Sequence, residues 1–309
     1  SIRRQRQMCI RDRSMPLADY QESSEVLMNT NVYKEPVKLI ALDLDRTTLK
    51  SDGHISKANR QAVEYAISKG IHVCIASGRA FDTLPSEVVT IPGIEYAITS
   101  NGAAVYKIKD KKCLNSYVLK ESSVAGIIKN TARYPVTYEA FIRGKAYASK
   151  EYIADPVKFG ATPKAIEYVR STRTLQEDIV SFIYEHKHEL DSIDIVLDDD
   201  ELKNRIIREL YEKDPDIYIT SSVKQLIEIS YKDAGKKSGV RFLADRLGID
   251  RKNIAAFGDA DNDCDMIEFA GAGVAMGNAC DALKEAADYI TLSNDDDGLA
   301  YAIYNILHI

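Results

Sequence analysis

Asp43 and Asp45 stand one residue apart in Asp43-Leu44-Asp45-Arg46-Thr47. Far along the chain come Ser77-Gly78-Arg79, then Gly235-Lys236-Lys237-Ser238-Gly239, then Gly258-Asp259-Ala260-Asp261-Asn262-Asp263. Three or four carboxylates gathered into one crevice repel one another unless a divalent cation lies among them. Hard oxygen donors with little His or Cys nearby select Mg2+. A hydroxyl at Ser77 and an ammonium at Lys236 beside such a cation suit a phosphoryl group. There Asp43, with ordinary carboxylate acidity, is an anion able to attack phosphorus. Asp45, crowded by other acids, is expected to titrate higher, to protonate the leaving alcohol and then to act as base toward water.

Such groups need elements that bring them together. Residues 37–42, Val-Lys-Leu-Ile-Ala-Leu, read as a buried strand of a parallel sheet, whose C-terminal end is where ligands bind in open α/β folds. After a turn at Ser51-Asp52-Gly53-His54, Ser56 can cap a helix that Gly70 stops, and residues 71–76 form a second buried strand. The resulting βαβ unit is right-handed, so the two strands run parallel. A helix is expected over roughly 80–89 and a short strand over 96–99, ending in Ser100-Asn101-Gly102-Ala103. Strands at 254–257, 273–276 and 289–291 and a closing helix at 298–307 complete this α/β pattern. Gly235-Lys236-Lys237-Ser238 superficially suggests a P-loop, but the glycine that motif requires five places earlier is Ser230.

Between these halves the pattern changes. A helix over about 122–131 precedes an alternating run, 136–142, that turns at Arg143-Gly144 into 145–149, as an antiparallel hairpin with one wet face does. Thr174-Leu175-Gln176-Glu177 reads as a capping box for a helix carrying Ile179, Phe182 and Ile183. A strand at 192–197, a helix with Leu202, Ile206, Ile207 and Leu210, and a strand at 216–220 follow. This predicts an α+β cap domain at 118–223, inserted into a core of residues 37–117 and 224–309, with Leu226 to Ile229 back in the core. Glu139, Arg143 and Lys145, around the hairpin, are candidates to reach the leaving group.

At 309 residues the chain suits two domains, and its net charge of −6 and pI near 5.5 argue against nucleic acid or a membrane surface as partner. No apolar run approaches a membrane span, and five scattered cysteines without a CxxC pair fit reduced thiols in a cytoplasm. Residues 1–36 read as an N-terminal extension. Within it, Gln7 to Arg13 resembles the translation of a sequencing-library adapter, so residues 1–14 are expected to be non-native and Met15 or Met28 to be the start. Residues 15–36 look like a loose lead-in.

Taken in order, Asp43 to Thr47, Ser77-Gly78-Arg79, Lys236 and Gly258-Asp259 through Asn262-Asp263 resemble the four motifs of the haloacid dehalogenase (HAD) superfamily. Ser100 to Ala103, Gly273-Val274-Ala275-Met276-Gly277-Asn278-Ala279 and Asn294-Asp295-Asp296-Asp297-Gly298 are similar to its Cof-type phosphatase branch. The resemblance spans residues 37–309. It implies a Rossmann-like parallel core of the HAD type with an inserted α+β cap, and Mg2+-dependent hydrolysis of a small phosphorylated metabolite such as a sugar phosphate. By that resemblance Asp43 forms an aspartyl-phosphate, while Asp45 is the general acid/base whose backbone carbonyl also binds the metal. Asp259 is then a metal ligand, Asp263 a ligand directly or through water, and Ser77, Lys236 and Asn262 hold the phosphate. Lys236 is preferred to Lys237 because Lys-x-Ser-Gly-Val keeps the family's register. Arg46 and Thr48 depart from the family's usual residues and bear on loop shape and substrate. A phosphomutase, revealed by a bisphosphate requirement, is the alternative enzyme, and a phospho-accepting signalling domain, which lacks an inserted cap, the alternative outside enzymes.

Overall fold

The computed structural model describes residues 32–309. The expectations for residues 1–14, Met15 and Met28 lie outside the described residues. The described chain opens at Val32, and Tyr33 is anchored rather than loose: its amide donates to Ile306 O and its ring packs on the core.

The first half runs β1 (Leu39–Leu42), α1 (Lys57–Ser68), β2 (His72–Ala76), α2 (Ser86–Val89), β3 (Ile94–Thr99), β4 (Ala104–Lys107) and β5 (Lys112–Ser116). A second set follows: α3 (Glu121–Thr131), β6 (Thr137–Ile142), β7 (Lys145–Ser149), α4 (Lys150–Ala154), α5 (Ala165–Thr172), β8 (Arg173–Gln176), α6 (Ile179–Glu185), β9 (Ser192–Val196), α7 (Asp200–Lys213), β10 (Ile217–Thr220) and β11 (Leu226–Tyr231). The chain closes with α8 (Lys236–Leu247), β12 (Ile254–Gly258), α9 (Cys264–Phe269), β13 (Ala272–Ala275), α10 (Asp281–Ala286), β14 (Tyr289–Ile290) and α11 (Gly298–Asn305).

Eight strands form one sheet in the order β14-β13-β12-β1-β2-β3-β4-β5, parallel as far as β3 and antiparallel beyond it. Its centre is buried on both sides, which is why β1 reads apolar without alternation. Ile40 and Leu42 meet Ala62, Val63 and Ala66 of α1 and Leu299 and Ile303 of α11, while Leu39 and Ala41 meet Val240 and Leu243 of α8 and Met266 and Ile267 of α9. The fold is thus an α/β core of Rossmann-like order carrying an inserted α+β cap.

The cap holds a six-stranded sheet, β10-β11-β9-β6-β7-β8, antiparallel except for β7 with β8. Strand alternation gives it two different faces. Tyr138, Ala140, Ile142, Ile193, Ile195, Ile227 and Ile229 pack under α3, α6 and α7. Glu139, Phe141, Asp194 and Glu228 take the opposite face, where Phe141 packs on Ala80 of the core.

Three local expectations need correction. Leu226 to Ile229 does not return to the core: β11 pairs with β9 and β10, so the first sheet is rejoined only after it. The continuous helix over 80–89 breaks into a single turn, Phe81–Thr83, and the short α2, because Pro85 has no amide to donate and disfavours helix before it. Thr174 to Gln176 is no capping box but part of β8, and Asp178 caps α6 by accepting from Ser181 N. The hairpin β4–β5 and the helices α4 and α5 are elements the sequence reading does not anticipate.

Candidate active site

Asp43 follows the last residue of β1 and donates its amide to Phe257 O of β12 at 3.1 Å, so the two strand ends are locked side by side. The chain then turns back over residues 44–48. Arg46 takes a left-handed φ of 62°, Thr48 Oγ1 donates to Asp43 O at 2.6 Å, and Asn278 Nδ2 donates to Arg46 O at 2.9 Å. This turn carries Thr47 Oγ1 to Asp259 Oδ1, 3.2 Å away, at the end of β12. Asp263 folds back over the same end, its Oδ2 accepting from the amides of Asp259 at 2.9 Å and Ala260 at 3.0 Å.

From the other side, α8 starts at Lys236, and the fully buried ammonium donates to Asp43 Oδ1 and Asp263 Oδ1, each at 2.6 Å. Lys237 is exposed and contributes only its amide, to Asp265. Carboxylate oxygens of Asp43, Asp259 and Asp263 all lie within 4.8 Å of one another. Three buried acids therefore face one buried base, with Arg46 at the rim 3.8 Å from Asp259. Burial, then Asp263 and Asp259, push Asp43 well above the usual carboxylate range against the pull of Lys236, so its ordinary acidity is not retained in this cluster alone. Burial and Asp263 push Asp259 up to about 7, opposed by Arg46 and Thr47. Burial alone would lower Lys236, but Asp263 and Asp43 outweigh it and hold the ammonium charged.

Whether a cation suits this cluster can be judged from its oxygens. Asp43 Oδ2 and Asp259 Oδ2 accept no hydrogen bond from the described residues, and the excess of negative charge is what a divalent ion with hard oxygen ligands would neutralise. The donor set fits. Both Asp263 oxygens are already engaged, by Lys236 and by two amides, which favours a water-mediated role for that residue.

The remaining expected residues are placed unevenly. Ser77 is buried at the end of β2, its Oγ accepting from Arg79 N at 3.2 Å. Asn262 is buried beside Asp263 and donates to Asn101 Oδ1 at 2.9 Å, and Asn101 in turn donates to Glu228 Oε1 at 3.0 Å. Asp45 differs from expectation. Its carboxylate is 54% exposed and is held by both arms of Arg79, at 2.8 and 2.6 Å, rather than crowded among the acids, so it offers the cluster no side-chain ligand. In the cap, Glu139 is fully buried in a bidentate pair with Arg173, at 2.6 and 3.2 Å. Arg143, 80% exposed, pairs with Glu189, and Lys145 is exposed, so neither joins Glu139. Arg79, Asn101, Arg173, Asp194 and Glu228 were not among the expected site residues. Arg173 was hidden by the capping-box reading and Glu228 by its assignment to the core.

A profile of haloacid dehalogenase-like hydrolases matches residues 40–303. A 5-amino-6-(5-phospho-D-ribitylamino)uracil phosphatase of Bacillus subtilis is 30% identical over 271 residues, covering 86% of this chain and 94% of its own. Another B. subtilis phosphatase is 30% identical over 288 residues, covering 88% of this chain and all of its own. Among solved structures, a haloacid dehalogenase-like hydrolase from B. subtilis superposes with a TM-score of 0.75 at 27% identity, covering 88% of this chain and 100% of that one.

Proposed function

The chain belongs to the haloacid dehalogenase-like hydrolases and is a phosphoric monoester hydrolase, and from that premise we propose Mg2+-dependent hydrolysis of a small phosphorylated metabolite, such as a sugar phosphate, through a phosphoryl group carried on Asp43. One observation carries this reading: Lys236 bridges Asp43 and Asp263 at the C-terminal ends of β1 and β12, with Asp259 beside them.

In this reading the Ser77 hydroxyl, the Lys236 ammonium and the Asn262 amide hold the phosphoryl oxygens. Asp43, Asp259 and the Asp45 backbone carbonyl, with Asp263 through water, would hold Mg2+, which would neutralise charge on the phosphoryl group and on the acids around it. Asp43 Oδ2, free of hydrogen bonds from the described residues, attacks phosphorus; the Asp43–phosphorus bond forms as the bond to the leaving oxygen breaks. Asp45 gives its proton to that oxygen, then takes one from water, whose oxygen attacks phosphorus and releases Asp43 and inorganic phosphate. Turning Asp45 toward the leaving oxygen means loosening one of its two bonds to Arg79. Unaided phosphate monoesters hydrolyse so slowly that enzymes reach accelerations of up to about 10²¹, so no member of this set is dispensable.

The test is phosphate release from p-nitrophenyl phosphate and a panel of phosphorylated metabolites, with Mg2+ and with chelator. Turnover is expected only with the metal, and Asp43→Asn is expected to lose it by about a thousandfold or more. Undiminished turnover in chelator would refute the metal requirement.

A further inference from the structure

This inference rests on the phosphatase reading and concerns what the leaving group must be. Glu139 on β6, Asp194 on β9 and Glu228 on β11 are in direct cross-strand register, Glu139 opposite Asp194 and Asp194 opposite Glu228. Neighbouring strands lie about 4.8 Å apart, so three carboxylates form one row on one face of the cap sheet. All three are buried. That face meets residues of the core at both ends. At one end Glu228 Oε1 accepts from Asn101, which accepts from Asn262, and a side chain on Gly78, next to Ser77, would come within 3.1 Å of the same oxygen. At the other end Arg173 lies over the Tyr168 ring at 4.8 Å, and that ring also carries Arg79, the partner of Asp45, at 4.5 Å.

Asp194 is in the middle. The residue is 4% exposed, yet its carboxylate accepts no hydrogen bond and forms no ion pair with any described residue. The two flanking acids are committed. Arg173 is consumed by Glu139 and by Thr172 Oγ1, and Glu228 takes Asn101 and the amide of Ser222. A buried acid without a partner is costly, and like-charged neighbours at strand spacing add to the cost of ionising it; burial, then Glu228 and Glu139, push Asp194 well above the usual carboxylate range. A donor from outside the described chain relieves both.

We propose that Asp194, flanked by Glu139 and Glu228, is the leaving-group subsite, and that it takes a phosphate ester whose leaving group presents hydroxyl or amino donors and carries no second anionic group. A carboxylate or second phosphate on that part of the substrate would meet three acids, and Arg173 beside them is already bound to Glu139.

The test compares kcat/KM of the full chain, with Mg2+, for a hexose phosphate, the matching amino-sugar phosphate and the matching phospho-sugar acid, each divided by the value for p-nitrophenyl phosphate. The ratio cancels a general loss of folded enzyme. The natural chain is expected to favour the first two over the sugar acid by about tenfold or more, and Asp194→Leu to lower their ratios by about tenfold or more, the loss of a hydrogen bond to a charged group. Asp194→Asn separates the two donors: a larger loss for the amino sugar marks charge pairing, an equal loss marks hydrogen bonding, and either supports the subsite. Glu228→Gln carries the same comparison should Asp194→Leu fail to fold. Equal use of the sugar acid, or ratios that Asp194→Leu and Glu228→Gln leave unmoved, would overturn the subsite while the phosphatase reading stands. Failure of the natural chain to hydrolyse even p-nitrophenyl phosphate would overturn both.

Discussion

Lys236 shows how much of this site rests on single residues. Its ammonium is the sole buried cation seen between Asp43 and Asp263 among the described residues, so Lys236→Met leaves two desolvated carboxylates uncompensated. Breaking a buried pair from one side typically costs about 3–5 kcal/mol. The variant is expected to lose stability on that scale in denaturant titration and to lose turnover, whereas Lys237→Met, exposed, is expected to change both little. A second expectation concerns pH. Asp259 is pushed up to about 7 in the folded chain, so between the ordinary carboxylate value and that point the folded state holds a proton the unfolded state has released. The stability this gives is complete at low pH and is lost as pH rises through about 7. Without metal, Tm should therefore fall from about pH 5 to about pH 8, and the gain in Tm on adding Mg2+ should be larger at the higher pH, where the ligands are ionised. A gain equal at both ends would contradict it. At this scale the sequence was informative about Asp43, Asp259, Asp263 and Lys236, which the structure brings together, because strand ends announce themselves. It misplaced Asp45, expected among the acids but held by Arg79 from a motif read as a phosphate cradle, and it showed no sign of Arg173, whose burial only the cap sheet creates.

The site depends on loops that hold element ends in place. Gly102, in the loop after β3, has a φ of +89°, and a side chain there would run into the backbone of Gly235, whose amide donates to Asn101 O at 2.9 Å. That contact fixes the start of α8 and hence Lys236. Gly102→Ala is expected to cost at least about 1–3 kcal/mol from backbone strain and steric conflict together, and to lower kcat as the lysine shifts. A variant that keeps the stability and turnover of the natural chain would show that the loop does not position Lys236. Elements with strong signals were readable: β1, β2, α1 with its Ser56 cap, and the hairpin β6–β7. Those that misled did so for identifiable reasons. Leu226-Ile227-Glu228-Ile229 reads as a strand, but a strand's own residues do not say which sheet it joins, and Pro85 outweighed the helical pattern around it.

For the whole molecule, the α/β alternation and its interruption near residue 118 were enough to anticipate a core with an inserted cap, since composition and period change together there. The seating of the cap on the core was not legible. It comes from Phe141 on Ala80, from Glu228 on Asn101 and from Tyr168 on Arg79, pairs more than fifty residues apart that no local pattern links. Through them the leaving-group face is held against the core that carries Asp43, whose chemistry every other role in the site serves. The most direct measurement uses Asp45→Asn, which cannot activate water, with p-nitrophenyl phosphate, whose leaving group needs no proton. Mixed with Mg2+, quenched in acid and digested, this variant is predicted to show a phosphoryl group on the peptide at Asp43, absent when Asp43→Asn is added. Turnover by the natural chain with no phosphoryl group at Asp43 in the quenched variant would contradict the assignment of Asp43 as nucleophile.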